Sequence, residues 1–194
     1  MVIPRLRLLP LLLLPYLSFS HAGEQPAHWL DSYKQDDATL FNDQGYRIKR
    51  YRAPTPEQAD GATTLTTAGL QALQKQQPGL SLIDVQPQPW QAGRFILKSP
   101  RQNISGSAWL PNVGFGEPSE NWQQYFKREL ARLSNNDKQH PMVFYCRADC
   151  WMSWNAAKRA HLLGYQQLYW YRNGIDGWQE AQLPMVDASP VAWP

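Results

Sequence analysis

Cysteine is scarce in this chain: 194 residues contain two, Cys146 and Cys150. The four histidines, at 21, 28, 140 and 161, show no metal-ligand spacing. Neither cysteine is followed by the histidine that covalent haem attachment needs. No Gly-rich phosphate loop and no Gly-x-Ser-x-Gly elbow occur, so nucleotide cradling and serine hydrolysis of that type are excluded. Basic blocks are also missing, which removes the electrostatic basis for nucleic-acid binding. The longest apolar run is shorter than the roughly 20 residues of a membrane span, and two prolines interrupt it.

That apolar run has a different meaning. Arg5 and Arg7 form a basic start, residues 8–17 are apolar, and Ser20-His21-Ala22 ends in small residues. This is the layout of a secretory signal over residues 1–22, cleaved before Gly23, with a retained anchor as the alternative. Removing Arg5 and Arg7 leaves 17 basic residues against 16 acidic ones, a charge of +1. The expected location is the periplasm, with no stable membrane span after cleavage. In that oxidising compartment an even pair of cysteines can be a plain disulfide. Nine Trp and nine Tyr are explained by a core of aromatic side chains.

Along the mature chain, residues 23–61 read as an N-terminal extension, with 46–52 alternating like a strand. Thr66 and Thr67 cap a short helix over 68–74, and Leu80–Val85 reads as a buried strand with Asp84 near its end. Residues 86–103 read as loop, and 104–111 as a loop entering a short strand. Apolar residues at 122, 125, 126, 130 and 133 predict an amphipathic helix over 121–133. A strand at 142–145, the cysteine loop, a helix from about 153 to 163 closed by Gly164, a strand at 167–171 and a short final helix complete the order. Alternating strands and helices predict an α/β domain with a mainly parallel central sheet flanked by helices.

Cys146-Arg147-Ala148-Asp149-Cys150-Trp151 lies between a strand end and a helix start. Free backbone N–H groups and the positive helix end favour thiolate there, so Cys146 is the candidate nucleophile. Cys150 is the candidate resolving thiol, with a permanent Cys146–Cys150 bridge as the alternative. Arg147 can hold an anion or pair with Asp149. Trp151, followed by Met152, can form a lid or docking surface, or pack over the loop. Ser153 reads as a helix N-cap. Asn155 and Lys158 can face either the loop or solvent.

Four stations resemble the rhodanese-like superfamily in order: Leu82-Ile83-Asp84-Val85, residues 104–111, the strand–cysteine–helix unit, and Asn173-Gly174-Ile175-Asp176-Gly177-Trp178. The resemblance implies a rhodanese-like domain over 62–184, a C-terminal tail at 185–194, and a persulfide on Cys146. It makes Asp84 a structural acid at the strand end. The loop departs from the common sulfurtransferase pattern. Its glycine is missing, Asp149 adds negative charge, Trp151 and Met152 replace small or basic side chains, and the loop is one residue longer. Asp149 is therefore expected to raise the Cys146 pKa and repel thiosulfate.

Cys146 to Ala160 with Tyr169–Gly174 is similar to exported rhodanese-like proteins named for a motif ending in Cys-Trp, associated with catabolism dependent on pyrroloquinoline quinone (PQQ). That likeness implies no bound cofactor, PQQ only through a partner, a periplasmic quinoprotein dehydrogenase system as that partner, and a small sulfur or redox donor. Two functions follow. One is a sulfurtransferase-like or redox dithiol using Cys146 and Cys150. The other is a non-catalytic accessory module with bridged cysteines and an exposed Trp151.

Overall fold

The computed structural model describes residues 38–193. The expected signal peptide and residues 23–37 of the expected extension lie outside the described residues.

Five short strands form one parallel sheet: β1 (Thr63–Leu65), β2 (Ser81–Asp84), β6 (Ser107–Trp109), β7 (Met142–Tyr145) and β8 (Leu168–Tyr171), in spatial order β1-β8-β7-β2-β6. Parallel strands need crossovers, and helices supply them. The register pairs Asp84 with both Tyr145 and Trp109, and Tyr145 with Tyr171. The carboxyl ends of the central strands therefore share one edge, and the cysteine loop leaves from it.

Alternation along β7 divides the core between the two sheet faces. Val143 and Tyr145 pack with Leu70 and Leu73 of helix α1 (Thr67–Gln76) and with Ile175 and Trp178 of helix α4 (Gly174–Glu180). Met142 and Phe144 pack on the other face with Tyr125, Phe126 and Leu130 of α2 (Glu120–Leu133) and with α3 (Trp151–Leu162). The Thr66 hydroxyl accepts from Gly69 N at 3.1 Å and caps α1, as the sequence indicates.

Helix α3 is buried from Trp151 to Ala160 and exposes no face over that stretch. A helix apolar or buried all round needs cover on its outer side. Residues 41–59 provide it, lying across α3 as a strap. The expected strand at 46–52 is absent. That stretch makes only isolated bridges, Phe41 with Arg47 and Arg52 with Cys150. Its backbone bonds go to side chains and loops instead, and Arg50 is left-handed at φ 47°.

The expected loop at 86–103 contains a hairpin, β3 (Trp90–Gln91) and β4 (Arg94–Phe95), turned by Ala92 and Gly93, both with positive φ. Two-residue strands are too short to show alternation. Strand β5 (Gln102–Ile104) pairs antiparallel with β9 (Met185–Asp187), so residues past 184 are joined to the fold. Farther on, Tyr125 Oη donates to Val191 O at 3.0 Å. Among the described residues, no helix is long and apolar enough to cross a membrane.

Candidate functional site

Cys146 follows the last residue of β7, and Cys150 occupies the N-cap position of α3. The two thiols are free, hydrogen-bonded to each other, and 1% and 3% exposed. The bridged alternative is not what the structure holds. Nor is the expected low pKa of Cys146. Burial pushes the Cys146 thiol well up, its hydrogen bond to Cys150 and the charges of Cys150 and Asp84 push the same way, and only Arg147 N–H opposes them. Cys150 moves down. The hydrogen bond from Cys146 is the largest cause, opposed by burial and helped by the N–H groups of Met152 and Arg147 and by the Arg52 charge. The N-terminal N–H groups of α3 thus serve the second cysteine. The physical reason is position: Cys146 stops at the strand end, and the three-residue spacer carries Cys150 to the helix.

The loop between them is fixed from two sides. Asp176 Oδ2 accepts from Ala148 N at 3.0 Å, and Oδ1 takes Arg147 Nε at 3.2 Å. Ile175 N donates to Cys146 O at 2.9 Å. Gly174 lets α4 approach, because at φ +57° a Cβ would lie 2.5 Å from Arg147 C and 2.6 Å from Cys146 O. The strap holds the opposite side. Ala53 N donates to Asp149 O, Trp151 N to Tyr51 O at 2.9 Å, and Arg52 Nη1 to Ala148 O at 2.6 Å.

Several expectations change here. Arg147 pairs with Asp176, not with Asp149. Asp149 is left-handed at φ 50° and exposed, and its carboxylate accepts weakly from Thr55 N at 3.4 Å. The acid that raises Cys146 is Asp84. Trp151 is fully buried, its indole donating to Pro54 O at 3.1 Å and edge-on to Phe41 and Trp154. It is neither a lid nor an exposed contact. Met152 is buried as well, its backbone lying where a Cβ on Gly114 would have to go. Ser153 is not the N-cap. It lies inside the first turn of α3, donates to Cys150 O at 3.2 Å and accepts from Trp170 Nε1 at 3.0 Å.

Asp84 is wholly buried, ion-paired with Arg101, and accepts from Gln86 N at 2.9 Å. Arg101 in turn stacks on Trp109, 4.0 Å from the ring centroid. Burial outweighs these partners and pushes the Asp84 carboxyl from 3.8 up to about 6. The folded state therefore binds its proton more tightly than the unfolded chain. Stability falls as pH rises through the window from 3.8 to about 6, by roughly 3 kcal/mol in all. In Asp84→Asn that slope is expected to vanish. Guanidinium unfolding of both proteins between pH 4 and 7 checks it; parallel stability–pH curves would refute the assignment.

A cleft of about 490 Å³ opens beside the loop, lined among others by Gln86, Arg101, Gln102, Arg147, Asp176 and Asp187. A larger cavity, about 680 Å³, lies elsewhere between Tyr46, Ser119 and Arg159, and neither cysteine lines it. Asp176, Gly174, Arg52 and Asn155 were not recognised as site residues from sequence. The signal for the first two was the 173–178 station itself, where a Gly and an acid follow β8. Asn155 faces neither loop nor solvent; it is buried and binds Arg47 N, Arg47 O and Gly114 O. Lys158 pairs with Asp60 at 3.1 Å.

A parallel α/β sheet with a cysteine loop at its carboxyl edge, clamped by the helix after β8, defines a thiol-bearing α/β domain. The chain belongs to the rhodanese-like domain family, whose model matches residues 66–181. Solved structures of similar fold include the polysulfide-sulfur transferase homodimer of Wolinella succinogenes, 20% identical, covering 66% of this chain and 81% of that one at a TM-score of 0.45. Thiosulfate sulfurtransferase of Pseudomonas aeruginosa is 15% identical over 69% of this chain and 22% of that longer one, TM-score 0.45. The human single-domain sulfurtransferase is 20% identical over 61% and 96%, TM-score 0.39. No curated protein matches the chain significantly.

Proposed function

We propose that the chain is an exported, periplasmic rhodanese-like protein whose two cysteines act as one dithiol unit, taking up sulfane sulfur or oxidising equivalents in the setting of PQQ-dependent alcohol oxidation. The observation that carries the dithiol reading is the Cys146–Cys150 hydrogen bond, with helix and loop N–H groups converging on Cys150. Export rests on the basic, apolar and small-residue order of residues 1–22. The PQQ setting rests on the Cys-Trp motif resemblance, with PQQ held by a partner dehydrogenase.

Cys150 stands at the N-cap of α3, where backbone N–H groups favour negative charge, and is the attacking thiolate in this reading. It attacks the outer sulfur of a donor persulfide R–S–SH. The donor S–S bond breaks, RS⁻ leaves and Cys150–S–SH forms. Cys146 then gives up its proton and attacks the inner sulfur of Cys150, expelling HS⁻ and closing the disulfide. An external dithiol returns the pair to the reduced state.

Thiosulfate is a poor donor in this reading, for a reason other than Asp149. The two arginines lining the cleft are already neutralised, Arg101 by Asp84 and Arg147 by Asp176, and Asp187 adds a further negative charge. An anion finds no uncompensated arginine there.

Time-resolved alkylation of the reduced protein, read by peptide mass, tests the reading. Cys150 is expected to label first near neutral pH, and the same spectra should show Gly23 as the first residue of exported protein. Faster labelling of Cys146 would restore it as the nucleophile. If neither thiol outpaces an unperturbed cysteine, the accessory-module reading replaces this one.

A further inference from the structure

The matched family domain begins at residue 66, yet the cysteine loop is completed by a residue upstream of it. Arg52 belongs to the strap. It forms an antiparallel bridge with Cys150, so its backbone lies directly against the second cysteine. The neighbours on either side hold that register, through Tyr51 O to Trp151 N at 2.9 Å and Ala53 N to Asp149 O at 3.1 Å. The guanidinium reaches back over the loop, donates to Ala148 O at 2.6 Å and stands 3.9 Å from Asp176. Ala148 is also the residue whose N–H is bound by Asp176. One loop residue is thus gripped on its carbonyl by the strap and on its N–H by α4.

We propose that Arg52 is a positioning residue of the dithiol site, fixing the cysteine loop from outside the family domain and supplying the cation against which negative charge on Cys150 forms. This rests on the dithiol reading above. Every charged group packed around Cys150 enters the balance. Cys146 donates its S–H. Asp84 lies on the β2 side and acts on Cys146. Arg147 is taken up by Asp176 on α4. The Asp149 carboxylate points to Thr55 N. Arg172, at the end of β8, is held away at the strap, its Nη2 donating to Thr55 O at 2.8 Å. Arg52 shares Asp176 with Arg147 through a longer ion pair of 3.9 Å, and its charge acts in the direction that favours Cys150 thiolate. Its side chain is 53% exposed, so the effect is moderate and open to screening.

The test is the pH dependence of Cys150 alkylation in reduced, full-length mature protein, with iodoacetamide as the probe and peptide mass as the readout. Arg52→Gln keeps an amide donor on a shorter side chain and removes the charge. It is expected to slow labelling at pH 7 by about fivefold, shifting the profile to higher pH while leaving the high-pH plateau unchanged. Arg52→Lys is expected to restore most of the wild-type profile. A superimposable Arg52→Gln profile, or equal shifts in Gln and Lys variants, would overturn the proposal. Should Arg52→Gln melt below the assay temperature, wild-type protein carries the test: about 1 M salt should move its profile in the same direction, and an unmoved profile overturns the assignment. A wild-type Cys150 that never outpaces an unperturbed thiol sinks the dithiol reading itself, which is a different failure.

Discussion

Gly174→Ala is expected to lower stability by about 3 kcal/mol and to slow Cys150 labelling at the same time. Two effects combine at this position. An L-residue at φ +57° carries the left-handed penalty, on the order of 1–2 kcal/mol. The new Cβ would also lie 2.5 Å from Arg147 C, 2.6 Å from Cys146 O and 2.9 Å from Ala148 N. These are backbone atoms of the cysteine loop, which cannot swing aside as a flexible side chain would. Either the loop moves or α4 does, and in both cases the Ile175 N to Cys146 O bond and the Asp176 clamp are stretched. Urea unfolding gives the stability change, and alkylation rates give the loop effect. A variant matching wild type in both would show that α4 does not set the loop geometry.

The second large effect is expected at Asn155. Its amide satisfies Arg47 N at 3.0 Å, Arg47 O at 2.8 Å and Gly114 O at 2.9 Å, all in a fully buried setting. This one side chain joins α3 to the strap and to the 113–116 loop. Asn155→Leu keeps the branched shape but strands one buried donor and two acceptors. Unpaired buried groups of this kind cost about 1–3 kcal/mol each, so a total of roughly 3–5 kcal/mol is expected, or about 10 °C in melting temperature. Loosening the strap should also raise limited proteolysis between residues 41 and 60 before global unfolding. A melting curve that overlays the wild type would mean that the strap is held by its other contacts without Asn155. Those include Phe41 edge-on to Trp151 at 5.3 Å and the Arg47 guanidinium 5.0 Å from the Trp151 ring.

Local order determined much of the architecture without any tertiary information. The apolar runs at 80–85, 142–145 and 167–171 became β2, β7 and β8 because fully buried parallel strands read as continuous apolar stretches. The spacing at 122, 125, 126, 130 and 133 became α2, and Thr66 became a cap, because periodicity and capping are short-range properties. The position of the cysteine loop between a strand and a helix was legible for the same reason, as was the Gly-Ile-Asp station that clamps it.

The division of labour inside the loop was decided by tertiary structure. A three-residue spacer in sequence does not say which sulfur meets the helix N–H groups; the fold puts Cys150 there and leaves Cys146 buried beside Asp84. Charges near in sequence proved less relevant than charges brought by other elements: Arg147 found Asp176, 29 residues away, and not Asp149. Trp151 and Trp154 look the same in sequence whether they face solvent or core. They are buried because residues 41–59 cross α3, and a covering segment without regular structure leaves no periodic pattern to detect. Periodicity reports which residues need burial, and only the three-dimensional packing determines what buries them.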